Sequence, residues 1–145
     1  MYMKPTRTLI KSILLFISLF ISCKQKPTRP ETAIDTARDF ISASLDGNFE
    51  EAETLLFHDT ENIQMFNMFK EYREKLPDAT KKKYEAAEYK IDRYDELNDS
   101  TVIVNYSNDF MHQPMHLKVI KKEEKWYIDF KFISAKDSTS KTDRP

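Results

Sequence analysis

Glu88-Tyr89-Lys90-Ile91-Asp92-Arg93-Tyr94-Asp95-Glu96-Leu97, followed by Thr101-Val102-Ile103-Val104-Asn105-Tyr106-Ser107-Asn108, is the stretch on which the fold turns. Upstream of it, apolar side chains recur every three or four residues. From Tyr89 onward they recur every second residue, so the backbone period changes from that of a helix to that of a strand. Tyr89 and Ile91 alternate with Lys90 and Asp92, whereas Tyr94 falls out of phase, which predicts a bulge near Arg93. Asn98-Asp99-Ser100 is a turn. The second strand, Thr101 to Asn108, then sets Val102, Val104 and Tyr106 on one face.

The pattern continues to the C-terminal side. Asp109 to Pro114 reads as a longer loop. Met115 to Lys121 is a third strand with Met115, Leu117 and Val119 inward. Lys122-Glu123-Glu124-Lys125 is a charged hairpin turn, and Trp126 to Ile133 a fourth strand. Trp126, Ile128, Phe130 and Phe132 share one face, and Trp126 is expected beneath the first helix on its Phe40-Ile41 side. Residues 134–145 are Ser, Thr, Lys, Asp and Arg with little apolar content, a composition expected to be disordered.

To the N-terminal side the spacing is helical. Thr32 caps a helix whose Ala33, Ala37, Phe40, Ile41 and Leu45 form a stripe, and Asp46-Gly47-Asn48 ends it. A shorter helix spans about Phe49 to Phe57. A third runs from about Glu61 to Leu76 with Ile63, Phe66, Phe69, Tyr72 and Leu76 on its buried side, and Pro77 ends it. Residues 79–87 are left open between helix and irregular chain. Three helices and then an antiparallel meander predict an α+β domain over residues 31–133, with the helices on one face of a curved sheet of about four strands.

Before the domain, Lys4, Arg7 and Lys11 precede the apolar run Ile13-Leu14-Leu15-Phe16-Ile17-Ser18-Leu19-Phe20-Ile21, and Ser22-Cys23 closes it. Basic start, apolar centre and small residue at the cut are the parts of a secretory signal over residues 1–22. Leu9 to Cys23 is 15 residues and contains Lys11, whereas a membrane-spanning helix needs about 20 apolar residues. Cys23 is the chain's one cysteine, so no internal disulfide can form. Placed directly after Ser22, it resembles the acylated cysteine of bacterial lipoproteins, although Phe20 stands where Leu is commonest. That resemblance implies cleavage before Cys23, lipid on its thiol, and residues 23–30 as an extended tether to the membrane. Lys24, rather than Asp, follows the cysteine, and Lys24-Gln25-Lys26 has no acidic cluster. The expected location is therefore the cell envelope, on the periplasmic face of an outer membrane.

Composition narrows the partners. The cations Lys4, Arg7 and Lys11 leave with the signal and no acid does, so the chain from Cys23 onward carries a net charge of −4. That argues against nucleic acid, which requires a concentrated basic surface. Lys81-Lys82-Lys83 is flanked by Asp78 and Glu85 and reads as a solvated helix face. With Gly47 as the one glycine, neither common Gly-rich phosphate loop can be built.

Two segments carry a family resemblance. Leu45-Asp46-Gly47-Asn48-Phe49-Glu50-Glu51-Ala52 is similar to the turn between the first two helices of the cystatin-like α+β superfamily named after nuclear transport factor two. Lys125-Trp126-Tyr127-Ile128-Asp129-Phe130 resembles that superfamily's final strand. The likeness extends to small bacterial lipoproteins of the superfamily and covers roughly residues 31–133. It implies a cone between helices and sheet, and a superfamily that holds enzymes beside non-catalytic binders.

Candidate chemistry is sparse. His112 and His116 lie about 13 Å apart on an extended strand and have no third ligand at recognisable spacing, so no metal and no cofactor is expected. Tyr106, His116, Tyr127 and Asp129 are the polar groups of the sheet. Alternation places His116, Tyr127 and Asp129 on the face away from the core. No nucleophile–base pair can be argued from spacing, so no catalytic residue is assigned. Phe66, Phe69, Tyr72, Tyr106 and Trp126 are the residues expected to line a pocket, should the cone be open. The reading is a lipid-anchored, non-catalytic binding or accessory domain, whose partner is an envelope protein or a small apolar ligand. The alternative is a small-molecule enzyme or carrier that uses the cone. Cys23→Ala is expected to leave the protein in the soluble envelope fraction. A variant that still pellets with membranes after a salt wash overturns the anchor assignment.

Overall fold

The computed structural model describes residues 29–132. The assignments made for the signal, for Cys23 and the tether as far as residue 28, and for Ile133 and the tail lie outside the described residues. Four helices come first: α1 (Ala33–Leu45), α2 (Phe49–Thr54), α3 (Thr60–Glu74) and α4 (Asp78–Glu85). Four strands follow: β1 (Tyr89–Asn98), β2 (Thr101–Asn108), β3 (Met115–Lys122) and β4 (Lys125–Ile128). The strands form one antiparallel sheet in the order β1-β2-β3-β4, so the fold is α+β with an open meander. α1 lies against β2, β3 and β4. Among the described residues, the buried apolar side chains fall between Ala33 and Phe130.

Local signals act where the sequence places them. Thr32 Oγ1 accepts from the Asp35 N–H and caps α1. Gly47 takes φ +74°, the left-handed conformation that lets the chain leave α1 without a Cβ penalty. Asp59 caps α3 by accepting from the Asn62 N–H at 2.8 Å. The β1–β2 register shifts between Ile91 and Arg93, which is the bulge that Tyr94 required. Glu123 and Glu124 both have positive φ; two such residues give a turn whose twist matches the flanking strands.

The structure corrects several expectations. Residues 78–85 form a fourth helix. Asp78 sits in its first turn and Lys82 and Lys83 in its last, the charge order that complements a helix dipole. Tyr84 is its one buried residue, too little apolar content for periodicity to register. α2 stops at Thr54, before Phe57, because Leu55–Phe57 runs beside β4: the Ile128 N–H donates to the Leu55 carbonyl at 2.8 Å and the Phe57 N–H to the Ile128 carbonyl at 2.9 Å. That pairing covers the end of the β4 edge at Ile128.

β4 also ends early, at Ile128 rather than Ile133. The chain is taken over by Asn62, fully buried in the first turn of α3, whose Oδ1 accepts from the Lys131 N–H at 2.9 Å. Lys131 Nζ reaches Asp59 at 2.6 Å. Asp129, expected in solvent, is 5 % exposed and pairs with Lys118 at 3.0 Å. Arg29, expected in a free tether, donates to the carbonyls of Thr54 and Trp126, each at 2.9 Å, and stacks on Tyr127.

The buried line of α3 also differs from its apolar stripe. It runs Asn62, Phe66, Arg73, with Phe69 partly buried beside it, while Tyr72 is 58 % exposed. Two polar residues complete the line because each satisfies backbone groups of another element. Phe66 is the hub of the core: its ring meets Phe40, Phe49, Phe69 and Phe130 at centroid distances of 5.4 to 6.3 Å. Phe130, not Trp126, is the ring set against Phe40, at 5.9 Å. Trp126 is half-buried and pairs with Lys121 near the hairpin end of the sheet.

Phe66→Ala is expected to cost about 3–5 kcal/mol, and Trp126→Ala only about 1–2 kcal/mol; urea unfolding followed by circular dichroism compares them. Acid should also weaken the fold through Asp59. The Asn62 backbone N–H, and then Lys131, hold the Asp59 carboxyl below the usual carboxylate range. A lowered pKa contributes stability above the ordinary value and loses it as pH falls through the folded one. Asp59→Ala should cost about 0.5–2 kcal/mol at neutral pH and flatten the acid limb of the stability curve, measured by thermal melts from pH 7 to 2.

Candidate functional site

α1, α3, α4 and the β2–β3 end of the sheet enclose a cavity of about 290 Å³. Its apolar walls are Phe40, Ile41 and Leu45 from α1, Phe69 from α3, and Phe130 and Met115 from the sheet side. Tyr84, Tyr106, Met111 and His116 complete the lining, and the exposed residues Tyr72, Gln113 and Pro114 stand at its rim. These elements leave a gap there because the helices cover the β4 side of the sheet more fully. α1 crosses toward β4, and Phe130 and Phe66 fill that end.

Three of the five residues expected to line a pocket do so: Phe69, Tyr72 and Tyr106. Phe66 does not; its ring is spent in the core cluster beneath the cavity. Trp126 does not either, since it sits by the hairpin at the other end of the sheet. His116, expected to face solvent, is half-buried at the cavity and hydrogen-bonds through a ring nitrogen to Asn105 Oδ1. Asn105 Nδ2 in turn donates to Asp95 at 3.1 Å. Among the described residues no three His, Cys, Asp or Glu side chains are grouped to hold a metal ion. His112 and His116 diverge: His112 is exposed, with φ +51° in the loop before β3.

Three polar residues of the cavity were missed by sequence reasoning: Ser44, Arg73 and Asn108. Arg73 is 5 % exposed. Its two terminal nitrogens donate to the carbonyls of Ser44 (3.0 Å) and Leu45 (3.2 Å), closing the C-terminal end of α1. Its guanidinium lies 3.8 Å from the centroid of the Tyr84 ring. Burial pushes its pKa below the ordinary arginine value, against the opposing influence of Tyr84, Glu85 and Tyr72. It forms no ion pair with a described carboxylate. Asn108 Oδ1 accepts from the backbone N–H groups of Phe110 (3.1 Å) and Met111 (2.7 Å), which shapes the loop at the cavity rim.

Each of these three side chains has a buried polar atom with no partner among the described residues: Ser44 Oγ, Arg73 Nε and Asn108 Nδ2. Leaving such a group unpaired costs about 1–3 kcal/mol, and three of the five such atoms among the described residues belong to residues that line this cavity. Their phase carried a signal: Arg73 falls four residues after Phe69, and Asn108 two after Tyr106, on the stripes that line the core. Tyr106 also lines the cavity, and burial pushes its phenol pKa up strongly.

No described helix is long and apolar enough to cross a membrane. Comparison with protein-family models, with curated proteins and with solved structures yields no match, so the cavity's own chemistry is the guide to its use. Tyr106→Phe is expected to remove the latest-ionising phenol from an alkaline absorbance titration; an unchanged late phase would contradict burial of this hydroxyl.

Proposed function

We propose that this chain is a lipid-anchored protein of the bacterial envelope whose folded domain binds a small, largely apolar molecule without transforming it. The observation that carries the reading is the cavity of about 290 Å³ between helices and sheet, with rings and methionines for walls. Its volume is at the lower end of ligand pockets, which run about 300–1,000 Å³. The anchor part rests on the order of charge, apolar run and Ser22-Cys23 at the N-terminus. The resemblance to the cystatin-like superfamily, which implies a cone between helices and sheet, supports the same picture.

The enzyme alternative needs a carboxylate or an activated base in the cone. The lining residues include no Asp or Glu, and His116 is engaged with Asn105 on the sheet. An aromatic cavity with buried donors is suited to holding a ligand rather than to moving its protons. A protein-binding accessory role would leave the cavity without a use.

The test is nuclear magnetic resonance of the chain from Lys24 onward against a panel of small apolar compounds. Binders should shift the signals of Phe69, Tyr106 and Met115 together, and Ser44→Phe, which fills the cavity, should abolish those shifts while the fold persists. Ligand-induced shifts confined to other surfaces, or none across the panel, would overturn the reading. With Cys23 intact, protease added to whole cells should leave the domain uncut if it faces the periplasm.

A further inference from the structure

The cavity's polar groups specify more than an apolar guest. We infer that its ligand is a small amphipathic monocarboxylate, with the carboxylate held by Arg73 and Asn108 and the apolar part lying against Phe40, Phe69 and Phe130. The inference rests on the cavity being a ligand site, as proposed above.

The argument is one of unmatched donors. Arg73 Nε and Asn108 Nδ2 are both nitrogen donors, both buried, and both without an acceptor among the described residues. Ser44 Oγ, the third unpartnered atom, belongs to the residue whose carbonyl Arg73 grips. Tyr84 ties the Arg73 and Asn108 sides together. One contact of its ring is the Arg73 guanidinium; another is Phe110, 4.8 Å away between centroids, whose backbone N–H is held by Asn108. A ligand that satisfies this side must therefore bring acceptors.

Charge decides which acceptors. An arginine side chain stays protonated in proteins. Arg73 is buried with aromatic faces and backbone carbonyls around it, and the cavity lining includes no carboxylate to neutralise it. Asp46, Glu74 and Glu85 share a separate surface groove with Arg73, and none of them is ion-paired with it. A guanidinium in low dielectric favours a planar anion with paired oxygens, which describes a carboxylate. The other walls are hydrocarbon, so the remainder of the ligand is apolar, and the volume restricts it to a short chain or a single ring.

Isothermal titration calorimetry on the chain from Lys24 onward, with octanoate and 3-phenylpropanoate against the matched alcohols 1-octanol and 3-phenylpropan-1-ol, tests this. The carboxylates should bind about tenfold or more tighter than the alcohols, an advantage lost in high salt. Asn108→Asp keeps the oxygen that accepts from Phe110 and Met111 but sets a negative charge where the free donor was. It should erase the carboxylate preference while leaving alcohol binding in place. Arg73→Lys, which keeps a charge but loses the Nε–H, should reduce it. Alcohols that bind as well as the acids in the parent protein would overturn the monocarboxylate inference and leave the cavity reading standing. If neither class binds, and apolar compounds also leave the cavity signals unmoved, both fall. The parent comparison decides the matter even if a variant fails to fold.

Discussion

Arg73 is the residue to which the cavity end of this structure is tied. A guanidinium held at 5 % exposure is costly to bury unless acceptors meet most of its donors. Here two of them close the last carbonyls of α1, and its flat face lies on Tyr84 of α4. One side chain thereby fixes three helices relative to one another. Because its remaining donor has no partner among the described residues, the same contact that organises the helices also gives the cavity its polarity.

The opposite end of the domain is secured by a second polar device of the same kind. Asn62 is fully buried yet serves backbone and side chain at once: it completes the Asp59 cap of α3 and stops β4 by binding the Lys131 N–H. Asn62 and Arg73 bracket Phe66 on one helix. The aromatic cluster about Phe66 forms one centre of the core, while the two polar residues decide where the neighbouring elements begin and end. Such networks are costly when half-made, so they select one arrangement over others of similar apolar content.

The division between packed and open halves follows from this. Toward β4, rings from α1, α3 and Phe130, two residues beyond the strand, interlock at centroid distances near 6 Å. Toward β1 and the β2–β3 loop, the helices present Ser44, Arg73 and Tyr84 beside Ile41 and Leu45. Short or polar side chains there leave the space that becomes the cavity, and their unpaired atoms give it a preference for a ligand with acceptors.

Much of the architecture was legible in the residues themselves. Thr32, Gly47 and Asp59 bound helices through local hydrogen bonds or backbone conformation, which need no distant partner. The switch of apolar period at Tyr89 determined where helices give way to strands, and Tyr94 out of phase marked the bulge. What tertiary structure alone decided are features that depend on a partner far along the chain. β4 ends at Ile128 because Asn62, 69 residues upstream of Lys131, takes the backbone. Tyr72 is outside and Arg73 inside because the carbonyls of α1 lie within reach of a guanidinium. Periodicity counts apolar side chains and is blind to polar ones that are buried for their hydrogen bonds. Phe66 and Trp126 were therefore placed at the pocket, and Ser44, Arg73 and Asn108 were passed over, although those three give the cavity its chemistry.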